Sequence, residues 1–249
     1  MIGLGKLGFP VALAIESKGH NVIGYDINPK IKDYLNKGKI PYLEEGVEEL
    51  IPNSKLKIES IENIVKKSEL IFVAVQTPHD ALYEGITRIP DSRADFNYKY
   101  LKNAIFSLSE ICKKIKKRIN VAIISTVLPG TIEREIFPIK NEYIQLAYNP
   151  YFIAMGTTIK DFMNPEFVLL GASGKEVKSR LLKFYRSIHE KKIFSTTIEN
   201  AELIKVSYNT FISTKIAFAN TLMEVCSKLP NLDVDNVVEA LSLADQRII

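Results

Sequence analysis

Residues 1–26 read MIGLGKLGFPVALAIESKGHNVIGYD and decide the fold. They contain the glycine spacing G-x-G-x-x-G, which is typical of the turn between the first strand and first helix of a dinucleotide-binding unit. The first glycine permits the tight turn, the second lets a pyrophosphate approach the backbone, and the third lets the helix pack closely on the sheet. The helix that follows would direct its free N–H groups and positive dipole end at the phosphates. The predicted cofactor-binding turn consists of Gly3, Gly5, Lys6, Leu7 and Gly8.

An acidic residue ends the next predicted strand, residues 21–26. Asp26 lies 23 positions after Gly3, a distance at which an acidic side chain commonly accepts hydrogen bonds from the adenosine ribose hydroxyls. Because its charge would repel the additional phosphate of NADP, Asp26 favours NAD. The alternative interpretation is a set of ordinary turn glycines with a helix-capping aspartate.

Short apolar strands alternate with amphipathic helical segments along residues 1–195. Residues 70–75 and 119–125 are apolar at nearly every position, as expected for parallel strands covered on both faces. The alternation predicts an α/β fold class, a Rossmann-type doubly wound parallel sheet that forms an NAD-binding domain over residues 1–195 with a truncated first strand. Weaker strands are predicted at 144–148 and 167–170, and helices at 7–17, 61–67 and 98–117.

The pattern changes after about residue 195. Residues 197–227 contain no Gly or Pro, and apolar residues recur at helical spacing. A helix of that length would measure roughly 45 Å, more than one compact sheet needs to cover itself. We therefore predict that residues 196–249 form an incomplete, all-helical dimerisation domain, in which the long helix 197–228 makes a homodimer and a second helix covers 234–243.

Composition narrows the class of protein. With 249 residues, 46% hydrophobic and 25% charged, the chain has the make-up of an ordinary globular protein of one large domain or slightly more. It contains no apolar run long enough to span a bilayer and no recognisable secretion signal, so a cytoplasmic location without a membrane partner is expected. Cys112 and Cys226 lack metal-ligand spacing, and no metal is expected. The basic run 113–118 has no interleaved aromatic residues, so a solvated helix end is favoured over a nucleic-acid partner.

Six segments, taken in their order, resemble the UDP-glucose/GDP-mannose dehydrogenase family. They are GLGKLGFPVA (3–12), VAVQTP (73–78), STVLPGT (125–131), NPYFIAMG (149–156), DFMNP (161–165) and AELIKVSYN (201–209), with a shorter match, DQRI, at 245–248. The resemblance implies an NAD-dependent dehydrogenase that oxidises the C6 alcohol of a nucleotide sugar to a carboxylate. It also implies a cysteine nucleophile in a glycine-rich loop, and residues 1–249 contain no such loop.

The resemblance assigns roles to individual residues. Thr77 and Pro78 would line the cofactor cleft, and Thr126 would lie beside the nicotinamide and the reacting carbon, although a plain helix cap is an alternative for Thr126. Lys205 and Asn209, four positions apart, share one helix face and would stabilise negative charge on the substrate oxygen. Thr126, Lys205 and Asn209 are therefore the predicted catalytic residues.

The predicted substrate-binding residues include two departures from the family pattern. Family members often carry acidic residues where this chain has Tyr151 and Met155, so a general-base role at these two positions is doubtful. Backbone contacts to the substrate from Phe152 and Ile153 remain open, and Arg247 matches a family arginine that reaches the sugar nucleotide of the neighbouring subunit. The nucleotide-sugar contacts are expected at Tyr151, Phe152, Ile153, Lys205, Asn209 and Arg247.

Two other functions stay open at this stage. A 3-hydroxyacid or 6-phosphogluconate-type dehydrogenase also combines a dinucleotide domain, a long helix and a Lys–Asn pair. An inactive NAD-binding dimerisation module is the second, because the first strand is short and the two acidic residues are missing. Both ends of the chain look incomplete, which agrees with a piece of a larger enzyme.

Overall fold

The computed structural model describes residues 1–244. They form two compact units, Met1–Lys205 and a second unit that begins at Val206. The predicted contact residue Arg247 lies outside the described residues.

The first unit is built on a mainly parallel sheet. Its strands are β1 (Ile23–Gly24), β2 (Lys57–Ile58), β3 (Leu70–Val73), β4 (Ile119–Ile123), β5 (Ile144–Tyr148), β6 (Val168–Ala172) and β7 (Ile193–Thr196). Its helices are α1 (Gly8–Ser17), α2 (Lys30–Lys37), α3 (Val47–Leu50), α4 (Ile61–Lys67), α5 (Lys99–Ile115), α6 (Thr158–Met163), α7 (Lys175–Arg186) and the first residues of α8 (Ile198–Lys228). A π-helical turn covers Ile132–Ile136.

Ile2 joins two parts of this sheet. β1 and β2 pair in parallel, and β3 to β7 are adjacent in chain order, with only the β5–β6 pair antiparallel. Ile2 forms parallel bridges to both Tyr25 and Val73. Its N–H donates to the Phe72 carbonyl (2.8 Å), and its carbonyl accepts from Ala74 N–H (2.8 Å). The resulting order β2–β1–Ile2–β3–β4–β5 is that of the doubly wound dinucleotide fold.

Helices cover both faces of the sheet, which confirms the predicted fold class. Alternate strand residues point to opposite faces, so Phe72 packs against α1 and α7 while Ile71 packs against α4 and α5. Both side chains are almost fully buried. The strands therefore need apolar residues at consecutive positions, which is the pattern that the sequence shows.

The second unit is helical. It contains the rest of α8 and a further helix, α9 (Val234–Ser242), whose first turn is capped by the Asp233 carboxylate accepting from Asp235 N–H (2.8 Å). Large apolar side chains on this part of α8 are exposed, among them Phe211, Ile212, Ile216, Phe218 and Met223. None of the helices in residues 1–244 combines the length and apolarity that a bilayer crossing requires.

Candidate functional site

The glycine turn follows Ile2 at the carboxyl edge of the sheet. Close packing against backbone atoms requires glycine at two of its positions, Gly3 and Gly8. Gly3 has a φ of +88°, and a Cβ there would lie 2.5 Å from the Ala74 carbonyl oxygen. A Cβ on Gly8 would lie only 2.0 Å from the Gly3 carbonyl oxygen. Side chains at these positions would collide with backbone, so the turn can form only with glycine at both.

Gly5 differs from its two neighbours. A Cβ built on it meets no atom within 4 Å, so glycine is not required there by the protein's own packing. Helix α1 begins at Gly8, three residues further on, with no side-chain cap at Leu7 and no acidic residue in its first turn. The open surface at Gly5 and the uncapped helix start fit a pyrophosphate, which needs close approach to backbone and a positive dipole end. Lys6 is exposed beside this opening.

Asp26 lies two residues after the end of β1, beside the glycine turn. Its Oδ2 accepts a hydrogen bond from Leu4 N–H (2.6 Å), and its Oδ1 accepts from Asn28 N–H (2.7 Å). The side chain is half-buried. Asp26 thus links the glycine turn to the end of β1. Each carboxylate oxygen can accept more than one hydrogen bond, so ribose hydroxyls can still be bound.

Two threonines connect the ends of β3 and β4. Thr77 Oγ1 donates to the Thr126 carbonyl (2.7 Å), and Ser125 Oγ donates to the Val75 carbonyl (2.6 Å). Pro78 is exposed next to them, and its carbonyl accepts from Asn97 N–H (2.7 Å), which closes the long connection between β3 and α5. The predicted residues Thr77, Pro78 and Thr126 therefore lie together at the carboxyl edge.

The loop after β4 is held by two tyrosines that sequence reasoning missed. Val127 N–H donates to the Tyr148 hydroxyl (3.4 Å), and Leu128 N–H donates to the Tyr98 hydroxyl (3.3 Å). Burial raises the pKa of Tyr98 to about 12, so its hydroxyl stays neutral. Both tyrosines lie in segments assigned to a strand or helix by apolarity alone, and nothing in that pattern identifies a hydroxyl that binds a loop.

Glu202 is a third residue that holds this loop. Its side chain is fully buried, and its carboxylate accepts from Gly130 N–H (2.7 Å) and Ile132 N–H (2.8 Å). Burial raises the pKa of Glu202, and the two backbone donors act in the opposite direction. A sequence signal for this residue exists, because Glu202 lies three positions before Lys205 on the face of α8 that also carries the buried Ala201.

Lys205 lies buried near the end of the first unit. Only 7% of its surface is exposed. Its Nζ donates to the Tyr151 carbonyl (2.8 Å) and lies 4.8 Å from the centre of the Phe152 ring. Burial lowers the pKa of Lys205 from 10.5 to about 8. The segment after β5 and the face of α8 are thereby brought together, with Ile153 half-buried beside them.

Tyr151 and Met155, which replace acidic residues of the family pattern, have different environments. The Tyr151 hydroxyl is hydrogen-bonded to the Tyr185 hydroxyl (3.3 Å), which also donates to Asn149 Oδ1. Burial raises the pKa of Tyr151 well above its ordinary value, so this residue keeps its proton and cannot replace a carboxylate base. Met155 is 63% exposed and has no titratable group.

Glu44 orders the segment that contains Met155. This buried carboxylate accepts from Gly156 N–H (3.1 Å), Thr158 N–H (2.5 Å) and Thr158 Oγ1 (2.8 Å). It therefore caps the start of α6 from a distant loop. Sequence reasoning missed Glu44, because a cap supplied from more than a hundred residues away leaves no local spacing pattern.

The sequence singled out four further features, which are Asn209, Arg247, Cys112 and the basic run 113–118. Asn209 lies on α8 within the second unit, and Arg247 lies outside the described residues. Cys112 is buried, and its burial raises the pKa of the thiol to about 11, so it is a poor nucleophile. In the basic run, Lys117 Nζ donates to the Lys66 (2.8 Å) and Ser68 (3.0 Å) carbonyls, a structural role at a helix end.

Two domains of one known family match the sequence. Residues 1–189 match the NAD-binding domain of the UDP-glucose/GDP-mannose dehydrogenase family, and residues 199–248 match the central domain of the same family. The chain belongs to the UDP-glucose/GDP-mannose dehydrogenase family. This membership confirms the resemblance found in the sequence, and it confirms NAD as the cofactor of the first domain.

Relatives within the UDP-glucose/GDP-mannose dehydrogenase family extend the match in sequence and structure. The UDP-glucose 6-dehydrogenase of Rickettsia conorii is 30% identical over 99% of this chain and 55% of its own length. The GDP-mannose dehydrogenase of Pseudomonas aeruginosa superposes with a TM-score of 0.86 at 27% identity, over 97% of this chain and 56% of that one. The UDP-glucose dehydrogenase of Pyrobaculum islandicum gives 0.82 at 29% identity, over 99% and 56%.

The chain spans about half the length of these relatives. The family match favours the nucleotide-sugar class over the hydroxyacid class that the sequence alone left open. The glycine turn and the buried Lys205 both lie in the first unit.

Proposed function

We propose that this chain is the NAD-binding and central part of a nucleotide-sugar 6-dehydrogenase of the UDP-glucose type. The reaction is the oxidation of the sugar C6 alcohol to a carboxylate. The observation that carries the proposal is a buried lysine, Lys205, in the same compact unit as a glycine turn with open space at Gly5. We further propose that the nucleophilic thiol comes from the part of the relatives' length that this chain does not span.

The cofactor residues have separate tasks. NAD, when bound, supplies the hydride acceptor. The backbone around Gly5 and the start of α1 bind the pyrophosphate, and Asp26 accepts from the adenosine ribose. Thr77 and Thr126 shape the nicotinamide end of the cleft, where their mutual hydrogen bond keeps the two strand ends in register.

Lys205 supplies the charge chemistry. Its pKa of about 8 leaves the side chain mostly protonated at neutral pH, yet more acidic than a solvated lysine. A buried ammonium donates strongly to an oxygen that gains negative charge, because little water screens the interaction. The family pattern gives Asn209, one helical turn further along α8, a hydrogen-bond donor role in the same reaction.

The sugar would be bound by the segment after β5. Tyr151 and Phe152 already contact the Lys205 ammonium through a carbonyl and a ring face, so a substrate oxygen would enter this shell beside them. Ile153 would add backbone contacts, and Arg247 would bind the nucleotide sugar of a neighbouring subunit. Because Tyr151 remains protonated, we do not assign it a base role. The cytoplasmic location expected from the sequence stays a prediction.

NAD binding by the purified chain tests the cofactor part of the proposal. We expect NAD at a hundred times its Kd to stabilise the fold by roughly 2.7 kcal/mol, which for a chain of this size raises the Tm by roughly 5–10 °C. NADP should give a much smaller shift at equal concentration, because the Asp26 carboxylate repels the 2′-phosphate. Equal shifts with both cofactors would contradict the role of Asp26, and the absence of any shift would contradict the proposed function.

We also propose that α8 forms a homodimer. The exposed apolar side chains Ile212, Ile216 and Met223 recur at spacings of four and seven residues and so share one face of the helix. The other side of the helix is mixed, because Thr214 and Thr221 lie there together with the exposed Phe211 and Phe218. An apolar stripe of this kind on a helix is buried in most stable proteins, and a second copy of α8 would cover it.

Ile216→Glu tests the dimer. A charge at the centre of the stripe should convert a dimer into a monomer in sedimentation-velocity experiments at micromolar concentration, because an unpaired buried charge costs several kcal/mol. Thr214→Glu introduces the same charge about 160° away around the helix and should leave the dimer intact. A wild-type chain that sediments as a monomer, or a dimer that survives Ile216→Glu, would rule out this interface.

A further inference from the structure

Glu202 is a charged residue in a place where charges are rarely found. It is 0% exposed, and its two hydrogen bonds go to backbone N–H groups of the loop after β4, at Gly130 and Ile132. Burying a carboxylate is costly unless its charge is satisfied by donors. Its position is therefore explained by what it holds rather than by any gain from burial.

The Glu202 carboxylate and the backbone N–H groups that it binds belong to different parts of the candidate site. Glu202 lies three residues before Lys205, so the two side chains leave α8 on neighbouring positions of one face. Gly130 lies four residues after Thr126, in the loop whose start is fixed to Thr77. One carboxylate thus connects the loop at the cofactor edge with the helix that carries the buried lysine.

The helix itself is anchored independently of Glu202. A Cβ on Gly171 of β6 would lie 2.8 Å from the Ala201 Cβ, so α8 packs directly on the sheet at this point. Lys205 is held separately by the Tyr151 carbonyl and the Phe152 ring. Removing the Glu202 contact should therefore free the Gly130–Ile132 end of the loop. Its start stays bound to Tyr98 and Tyr148, and α8 and the Lys205 environment stay in place.

From this geometry we propose that Glu202 is a positioning residue, which fixes the Thr126 loop at the cofactor edge relative to the α8 turn that carries Lys205. The inference rests on the proposed function, since it gives the loop and the lysine a common task. It acts through backbone N–H groups and requires no contact between Glu202 and substrate or cofactor.

Glu202→Gln in the 249-residue chain is the test. The amide has nearly the same shape, but its NH2 group would face one of the two backbone donors, so only one hydrogen bond can remain. We expect faster amide exchange at Gly130 and Ile132. NAD affinity should fall by up to about tenfold, because one lost hydrogen bond can lower the population of the ordered, binding-competent loop by that factor. The Kd is measured well below the melting transition, where reduced stability alone leaves it unchanged.

Two further variants sharpen the result. Glu202→Asp retains both acceptor oxygens and should recover part of the lost NAD affinity. Glu199→Gln removes an exposed carboxylate from the same helix and should change neither exchange nor affinity. Titration of Lys205 by NMR should show no rise of its pKa toward 10.5 in Glu202→Gln, because the contacts that bury the lysine do not involve Glu202.

The possible results distinguish a failure of the positioning role of Glu202 from a failure of the proposed function. Unchanged NAD affinity in Glu202→Gln, with or without faster exchange, overturns the positioning role. A Lys205 pKa that rises toward 10.5 in Glu202→Gln also overturns it, because the lysine has then lost its burial and the helix has moved. A wild-type chain that binds no NAD contradicts the proposed function instead. In that case unaltered exchange at Gly130 and Ile132 in the variant overturns the inference, and faster exchange supports its structural part.

Discussion

Gly8→Ala is expected to remove NAD binding by preventing the glycine turn from forming. The added methyl would lie 2.0 Å from the Gly3 carbonyl oxygen. That oxygen is a backbone atom and the position of a Cβ is fixed by its own backbone, so neither can rotate away. Overpacking of this severity costs about 3 kcal/mol or more, a large part of the total stability of a typical domain. Urea unfolding followed by circular dichroism should show a much lower midpoint, and NAD should produce no thermal shift.

Gly5→Ala is the matched comparison. A methyl at this position meets no protein atom within 4 Å, so the free energy of unfolding should change by less than about 0.5 kcal/mol. The same methyl would occupy the space that the pyrophosphate needs, and NAD affinity should fall by more than about tenfold. One substitution is therefore expected to lose stability and binding together, and the other to lose binding alone.

The two variants also distinguish the dinucleotide interpretation from an ordinary turn. If Gly5 were only a turn glycine, its replacement would leave NAD affinity unchanged. If Gly8 were only a helix residue on the surface, alanine would stabilise the helix by its higher helix propensity. Either result would require a different explanation of the spacing G-x-G-x-x-G in this chain.

The doubly wound fold could be predicted because its signals are local. β5 begins and ends where the apolar pattern predicts it, at Ile144–Tyr148, and α4 agrees equally well at Ile61–Lys67. β2 and β7 were missed. β2 is only two residues long, and its pairing with β1 depends on a neighbour more than thirty positions away. Helix α7 was missed as well, although its buried residues follow helical spacing.

The sequence also placed the end of one strand too far along the chain. The predicted strand 70–75 ends at Val73 in the structure. Ala74 N–H still donates to the Ile2 carbonyl, but the Val75 carbonyl accepts from the Ser125 side chain and not from a neighbouring strand. At the carboxyl edge, backbone groups leave the ladder to form the site. Apolar residues continue past that point, so composition alone cannot show where pairing stops.

Motifs in the sequence identify the candidate site residues, but they do not identify the residues that support them. Gly3 and Thr77 lie at the carboxyl edge of the sheet and Lys205 lies on α8, and their roles in binding and catalysis stay predictions. Glu44 and Glu202 accept hydrogen bonds from backbone N–H groups far away in sequence. Backbone donors look the same in every sequence, so such contacts become visible only when the chain is folded.

Lys205 is expected to make the fold more stable as the pH rises from about 8 to about 10.5. The folded pKa is about 8 and the ordinary value is 10.5. Below pH 8 the lysine is charged in both states, and the full cost of burying the charge is present. Between the two values the folded chain has released the proton while the unfolded chain retains it, so unfolding takes up a proton and stability increases with pH. The increase should total about 3 kcal/mol.

Lys205→Met isolates this contribution. Methionine has a similar length and no charge, so the variant should lack the rise between pH 8 and 10.5. The lost hydrogen bond to the Tyr151 carbonyl shifts the variant's curve by a constant amount, because that carbonyl does not titrate. Other groups do titrate in this range: buried Tyr148 and Tyr185 have raised pKa values, and their contribution to stability is lost above about pH 10. The difference between wild type and variant removes their effect.

The measurement is the free energy of unfolding in urea at half-unit pH steps from 7 to 10.5. Lys32→Met, at an exposed position on α2, controls for the removal of a positive charge as such and should leave the wild-type curve unaltered. Parallel curves for wild type and Lys205→Met would mean that Lys205 is solvated in solution, and the proposed donor to the substrate oxygen would then have no unusual acidity. A difference in the free energy of unfolding that grows with pH would mean that the buried Lys205 ammonium destabilises the fold at neutral pH. The same ammonium is then the hydrogen-bond donor proposed for the substrate oxygen.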